Sequence, residues 1–157
     1  MSKAFTSEET ADAPAIVVPR APLPDGVPNY VTSRGLARLR DELAQLRGQG
    51  FEPAALAQRR AELEERIASA ELVALPEAPT DVVRFGANVT VRGENGVRRQ
   101  RIVGVDEADP AQGRIAFVAP LARALLGRAV GDTILLRAPR GDEELEIVAV
   151  DYAPDPD

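Results

Sequence analysis

The side chains able to do chemistry are few and of one kind. Asp106, Glu107 and Asp109 place three carboxylates within four residues. That spacing does not match a calcium loop, which needs oxygens at alternate positions and a distal bidentate acid. From the residues alone the cluster reads as a solvated turn, the usual place for a charge run. The 157-residue chain contains no His and no Cys. Thiol nucleophiles, disulfide frameworks, Ser-His-Asp triads and thiolate or imidazole zinc sites are therefore excluded. Any chemistry must run on carboxylates, hydroxyls, Lys or Arg, and no cofactor or metal site is expected.

The remaining candidates are contact residues. Arg98, Arg99 and Arg101 stand in one run, but on a strand Arg99 and Arg101 share one face and Arg98 the other, so they make no single-sided phosphate clamp. A wet sheet face is expected there, with contact to emerging RNA as the functional alternative. Aromatics make up 4% of the chain, which leaves few platforms for stacking single strands. Pro120 and Arg123 are expected to face outward from a short helix, and Arg123 is the better partner contact because its planar fork pairs with carboxylates or carbonyls. Phe51 is either an exposed anchor or a staple folded back on Leu56 or Ala55. With 19 basic and 25 acidic side chains the net charge is −6, so a dedicated duplex-DNA binder is disfavoured and a protein partner with a basic surface is favoured.

Positioning these residues requires two kinds of element. Residues 1–28 hold five of the 13 prolines and read as a flexible Pro/Ala-rich tail, too poor in apolar surface to offset its ordering entropy. From Thr32 the period is helical: Leu36, Leu39, Leu43 and Leu46 form one seam, and Leu56, Leu63, Ile67 and Ala70 the returning one. Thr32 or Ser33 caps the first helix, Gly48-Gln49-Gly50 ends it, and Pro53 opens the second. Arg59, Arg60, Glu62, Glu64, Glu65 and Arg66 are expected to stay wet. Seven Arg balance seven acids across 33–72. After the 76–80 linker the period becomes two, with strands expected at 82–92, 97–105, 114–118, 133–138 and 143–152. A tight turn at Asn95-Gly96 and a short helix over 120–126 complete the pattern. This is an α+β chain: a helical hairpin over 29–75, then over 80–153 an antiparallel sheet with one helix. No run of about 18 apolar residues exists to span a membrane, and the amino terminus lacks an apolar signal core, so the cytoplasm is the default compartment.

The ordered set of motifs resembles a known family. It runs Pro28-Asn29-Tyr30-Val31-Thr32-Ser33-Arg34-Gly35-Leu36, then Phe85-Gly86-Ala87-Asn88-Val89-Thr90-Val91. Arg101-Ile102-Val103-Gly104-Val105-Asp106-Glu107-Ala108-Asp109, Pro120-Leu121-Ala122-Arg123-Ala124-Leu125-Leu126-Gly127 and Val130-Gly131-Asp132 follow. Each motif is weak alone; the order is similar to that of the Gre-type transcription elongation factors (GreA/GreB). The resemblance implies a factor that binds bacterial RNA polymerase at the rim of its secondary channel through an FKBP-like carboxyl-terminal domain. A coiled coil then reaches toward the catalytic centre, where tip carboxylates help hold the polymerase magnesium. The chemistry would belong to the polymerase, so the chain itself is expected to be a non-enzymatic, monomeric transcription factor without sequence-specific DNA binding.

Two departures bear on that expectation. The turn is only Gly48-Gln49-Gly50-Phe51-Glu52-Pro53, with Glu52 its single acid. The coiled coil is thus shortened, and weak or no stimulation of transcript cleavage is expected. Val118-Ala119 precede Pro120 where the family carries Asp or Asn and then Ser, so a polar rim contact is missing. The implied partner-binding residues are Asp106, Glu107, Asp109, Pro120, Arg123 and Phe51. Two alternatives accompany this reading: a cleavage-stimulating factor using Glu52, and a regulator of nucleoside diphosphate kinase, a smaller branch with a shortened hairpin.

Overall fold

The structure, a computed structural model, describes residues 20–48 and 54–154. Phe51, Glu52 and the rest of 49–53 lie outside the described residues, as do 1–19 and 155–157.

The first helix, α1 (Ser33–Arg47), starts where the Thr32 side chain accepts from the Gly35 amide at 3.0 Å, an N-cap on one of the orphan donors of the first turn. The second, α2 (Ala54–Ser69), packs on it through buried Leu39, Leu43 and Leu63, with Leu46 and Ile67 against them. The pair is antiparallel: Glu42, midway along α1, meets Arg59, while Asn29, just before α1, meets Arg66 and Ser69 at the end of α2.

At its base the chain departs from the helical period. Short strands β1 (Asn29–Val31) and β2 (Ala70–Leu72) pair in parallel, with Val31 opposite Leu72. Ala70, expected in the helical seam, is therefore in a strand. Ladder bonds to β1 replace the next helical turn, and Val31 is buried there at 2% exposure.

The remaining strands form a five-stranded sheet in the order β5-β4-β3-β7-β6. They are β3 (Asn88–Gly93), β4 (Gly96–Val103), β5 (Arg114–Ala116), β6 (Thr133–Leu136) and β7 (Glu143–Asp151). The β3–β4 hairpin closes at Gly93 opposite Gly96, and Gly96 takes φ +108°, a region open to glycine at little cost. Two expectations change here. The sheet is mixed, because β5 pairs in parallel with β4. The strand expected from residue 82 starts only at Asn88: Val82 makes an isolated bridge to Ala129, and the chain turns at Gly86, φ +88°. Val83 and Ala87 are nonetheless buried in the core with Phe85 packed against it, so the apolar spacing here reflects burial without a strand ladder.

One helix, α3 (Pro120–Leu125), lies on the sheet, with Pro120 at its first positions, where a missing N–H costs nothing. Ala122 and Leu125 join Val83, Val89, Val91, Ile102, Leu145 and Ile147 in the core. Among the described residues no helix is long and apolar enough to cross a membrane.

Candidate functional site

The acidic motif does not project as a free turn. It folds as a 3₁₀ turn, Val105–Glu107, against the base of the helical hairpin. Glu107 is 9% exposed, and its carboxylate accepts from the Thr32 hydroxyl, from the Thr32 amide at 3.3 Å and from the Gly104 amide at 3.3 Å. The Thr32 side chain therefore both caps α1 and donates to Glu107. No acid lies in the first turn of α1. Glu107 supplies that negative charge from 75 residues away, where the amide ends of the helix favour an anion.

This approach depends on two glycines. A Cβ on Gly35 would stand 2.2 Å from the Glu107 carboxyl carbon, and one on Gly104 2.5 Å from the Tyr30 carbonyl oxygen. Both positions lie at the contact between hairpin and sheet, so the absent side chains set how closely the two can meet.

Asp106 is also consumed internally. Its side chain, 6% exposed, accepts from Arg20 at 2.9 Å and from Arg66 at 3.1 Å. Arg66 was expected on a wet helical face; it is 7% exposed and reaches the acidic turn from α2. Buried charges persist only with partners, and the partners lie 40 and 86 residues away in sequence, beyond any local pattern. Burial works to lower the pKa of Arg20, but hydrogen bonds and charge from Asp106 and Glu42 outweigh it and raise the value above the ordinary one. A solvated turn thus describes only Asp109, which is exposed. Arg20 also shows that the described end of the leader is packed: the backbone N–H of Arg20 donates to Glu62 at 3.4 Å, and Arg66 donates to the Ala21 carbonyl.

An aromatic cluster, unread in the sequence, fills the same joint. Tyr30 lies 5.3 Å from Phe117 and 6.0 Å from Phe85, ring centre to centre, and Phe85 and Phe117 meet edge-on at 5.6 Å. These are three of only six aromatics in the chain. Tilted pairs at such distances add to area burial. Asn29, 4% exposed, donates to the Arg66 carbonyl at 2.9 Å and the Ser69 hydroxyl at 3.1 Å, tying off the last turn of α2.

The outward contact residues fall elsewhere. Pro120 and Arg123 are exposed on α3. The arginine run is divided: Arg98 pairs with Glu143 at 3.1 Å and Arg99 with Asp151 at 3.1 Å, whereas Arg101 is 8% exposed and donates to the Ala153 carbonyl at 2.6 Å. The wet face expected for this run therefore excludes Arg101. Desolvation opposes ionisation of Asp151, but bonds from Asn88 and the Ala153 amide, with Arg99 beside it, bring its pKa below the usual carboxylate value. The Tyr152 hydroxyl donates to the Val82 carbonyl at 2.6 Å and accepts from the Arg84 amide at 2.9 Å; burial pushes its pKa up. A polar cleft separates α1 from the acidic turn, with Arg38, Asp41 and Glu42 on one wall and Asp106, Glu107 and Asp109 on the other. Among the described residues no group of three or more carboxylates could hold a metal ion.

Residues 78–152 match the family model for the carboxyl-terminal region of the transcription elongation factors GreA/GreB. The factor named Transcription elongation factor GreA of Anaeromyxobacter sp. (strain K) is 45% identical over 94 residues, covering 59% of this chain and 57% of that one. Its namesake in Acidiphilium cryptum is 44% identical over 94 residues, covering 59% and 60%. This chain thus spans about three-fifths of the length of the curated relatives it matches. Among solved structures, a GreA/GreB factor from Nitrosomonas europaea is 31% identical, with 78% of this chain and 98% of that one covered at a TM-score of 0.44. GreA factor homolog 1 of Thermus thermophilus is 23% identical, with 78% and 97% covered at 0.42.

Proposed function

We propose that this chain, which carries the carboxyl-terminal region of the GreA/GreB transcription elongation factors at residues 78–152, binds bacterial RNA polymerase with weak or no stimulation of transcript cleavage. The sheet and α3 act as an FKBP-like docking module at the rim of the secondary channel, and the hairpin enters only the outer channel. The observation that carries this reading is the size of the hairpin. With 15 residues in α1 and 16 in α2, each arm extends about 22–24 Å at 1.5 Å per residue. The turn beyond them holds a single acid, Glu52. One carboxylate on a short arm is a poor magnesium ligand, since divalent cations of this class are held by several oxygens. The protein itself is not an enzyme in this reading; it acts as a monomer in the cytoplasm, where its partner works.

Arg123, Pro120 and Asp109 are the docking residues that the fold leaves outward, while Asp106 and Glu107 serve by holding the hairpin to the docking module. With Ala119 before Pro120, the rim contact at this corner relies on shape and on Arg123 rather than on a hydroxyl. The test is binding to core polymerase together with RNA cleavage in backtracked complexes. Binding without added cleavage is expected; no binding at micromolar concentration sinks the reading. Should cleavage be stimulated, Glu52→Ala separates the alternatives, since loss of the stimulated rate would assign the tip role to that carboxylate. No observation above favours a regulator of nucleoside diphosphate kinase, and that reading is set aside.

A further inference from the structure

We propose that the amino-terminal segment carrying Arg20 is an intramolecular clasp that fixes the angle between the helical hairpin and the sheet. Arg20 forks between two parts of the molecule: one guanidinium nitrogen donates to Glu42 of α1 at 2.7 Å and another to Asp106 of the acidic turn at 2.9 Å. The third part is α2, whose Arg66 donates to the Ala21 carbonyl and whose Glu62 accepts from the Arg20 amide at 3.4 Å. The Arg20 side chain is 12% exposed, so these bonds lie in a poorly solvated setting where charge-assisted pairs hold their geometry.

The mechanical reason lies in where the anchors sit. The joint at Thr32 and Glu107 grips α1 at its N-cap, and the Arg66–Asp106 pair and the Tyr30–Phe85–Phe117 cluster lie at the same base of the hairpin. Grips gathered at one end leave a rod free to pivot. Glu42 is ten residues further on, about 15 Å along the axis, and there the clasp ties α1 to the same acidic turn. Between these two grips the helix and the turn are separated by the polar cleft rather than packed together, so along this stretch apolar packing of helix on turn does not set the angle. Asp106 faces Arg20 and Arg66 together, which couples the clasp on the leader to the end of α2. A planar fork can bridge two carboxylates at once; a lysine ammonium makes only a point contact.

The test uses the full chain, needs no polymerase, and so stands or falls apart from the proposed function. The sequence has no cysteine, so nitroxide labels at Arg40→Cys on α1 and Val97→Cys on β4, both exposed, report one hairpin-to-sheet distance. A single narrow distribution is expected for the unaltered leader. Arg20→Ala is expected to lose it and give a broad one with helix content unchanged, and Arg20→Lys to broaden as well. Should Arg20→Ala lower helix content, Glu42→Gln severs the same tie from α1, and its broadening is read instead. A distribution as narrow as that of the unaltered leader in the folded Arg20→Ala or Glu42→Gln protein overturns the clasp. Full restoration by lysine overturns the forked bridge.

Discussion

Glu107 illustrates how one side chain can decide a local fold. Gly→Ala inside a helix ordinarily stabilises by up to about 1 kcal/mol, but at Gly35 the new methyl would stand where the Glu107 carboxyl is. Displacing that carboxylate leaves the Thr32 and Gly104 amides without their acceptor, a loss of about 2–3 kcal/mol at a buried charged group. Gly35→Ala should therefore lower the urea midpoint, and in a Glu107→Ala background the same substitution should become neutral or stabilising, a coupling that a double-mutant cycle measures. At Asp151 the prediction concerns pH. Its folded pKa is lowered, so whatever stability it contributes is present above the ordinary carboxylate value near 3.9 and is lost as pH falls through the lower folded one. Because the side chain is 46% exposed, solvent screening keeps that contribution small. Carboxyl-carbon titration by NMR should place Asp151 below an unperturbed aspartate, with Asn88→Ala and Arg99→Ala each moving it back up.

At the scale of elements, the hairpin and the sheet are unequal. Among the described residues, the seam between α1 and α2 has three buried leucines, whereas the core of the sheet and α3 together holds ten buried apolar side chains. Helices of 15 and 16 residues are marginal by themselves. Leu63, fully buried, is the centre of the seam; Leu63→Ala should cost about 2–5 kcal/mol. Circular dichroism should then show helix lost on heating well before the sheet melts, and a single shared transition would show instead that the joint makes the two cooperative. The opening motif acquires a physical meaning here. In consecutive order Asn29 ties off α2, Tyr30 enters the aromatic cluster, Val31 is buried in the parallel pair and Thr32 caps α1. Four adjacent residues thus serve four different neighbours, a pattern with no period to detect.

For the whole molecule, docking should depend on the face that the internal network leaves open. Reversing the charge of exposed Arg123, Arg123→Glu, should weaken polymerase binding about tenfold or more if it meets a carboxylate, since each 1.4 kcal/mol is a factor of ten, without moving the thermal midpoint. Unchanged binding would shift the docking role to other residues of the sheet. Because Asp106 is buried against Arg20 and Arg66, Asp106→Asn should act on stability and hairpin angle before it acts on affinity.

Local patterns carried much of this into view. Both helices, the Asn95-Gly96 hairpin, α3 and the positions of β6 and β7 follow from periodicity, capping and turn residues, because each is decided by side chains within a few positions of one another. The family resemblance, too, was present in the order of motifs. What the chain alone could not determine was the joint: the parallel pairing of β1 with β2 and β4 with β5, the burial of Arg66 and Arg101, and the inward use of Asp106 and Glu107. Those outcomes belong to the tertiary structure for one reason. Apart from β4 with β5, whose paired residues are 13 apart, their partners lie 40 to 86 residues apart, and a charged side chain reads as solvated until the fold brings it the counter-charge that makes burial affordable.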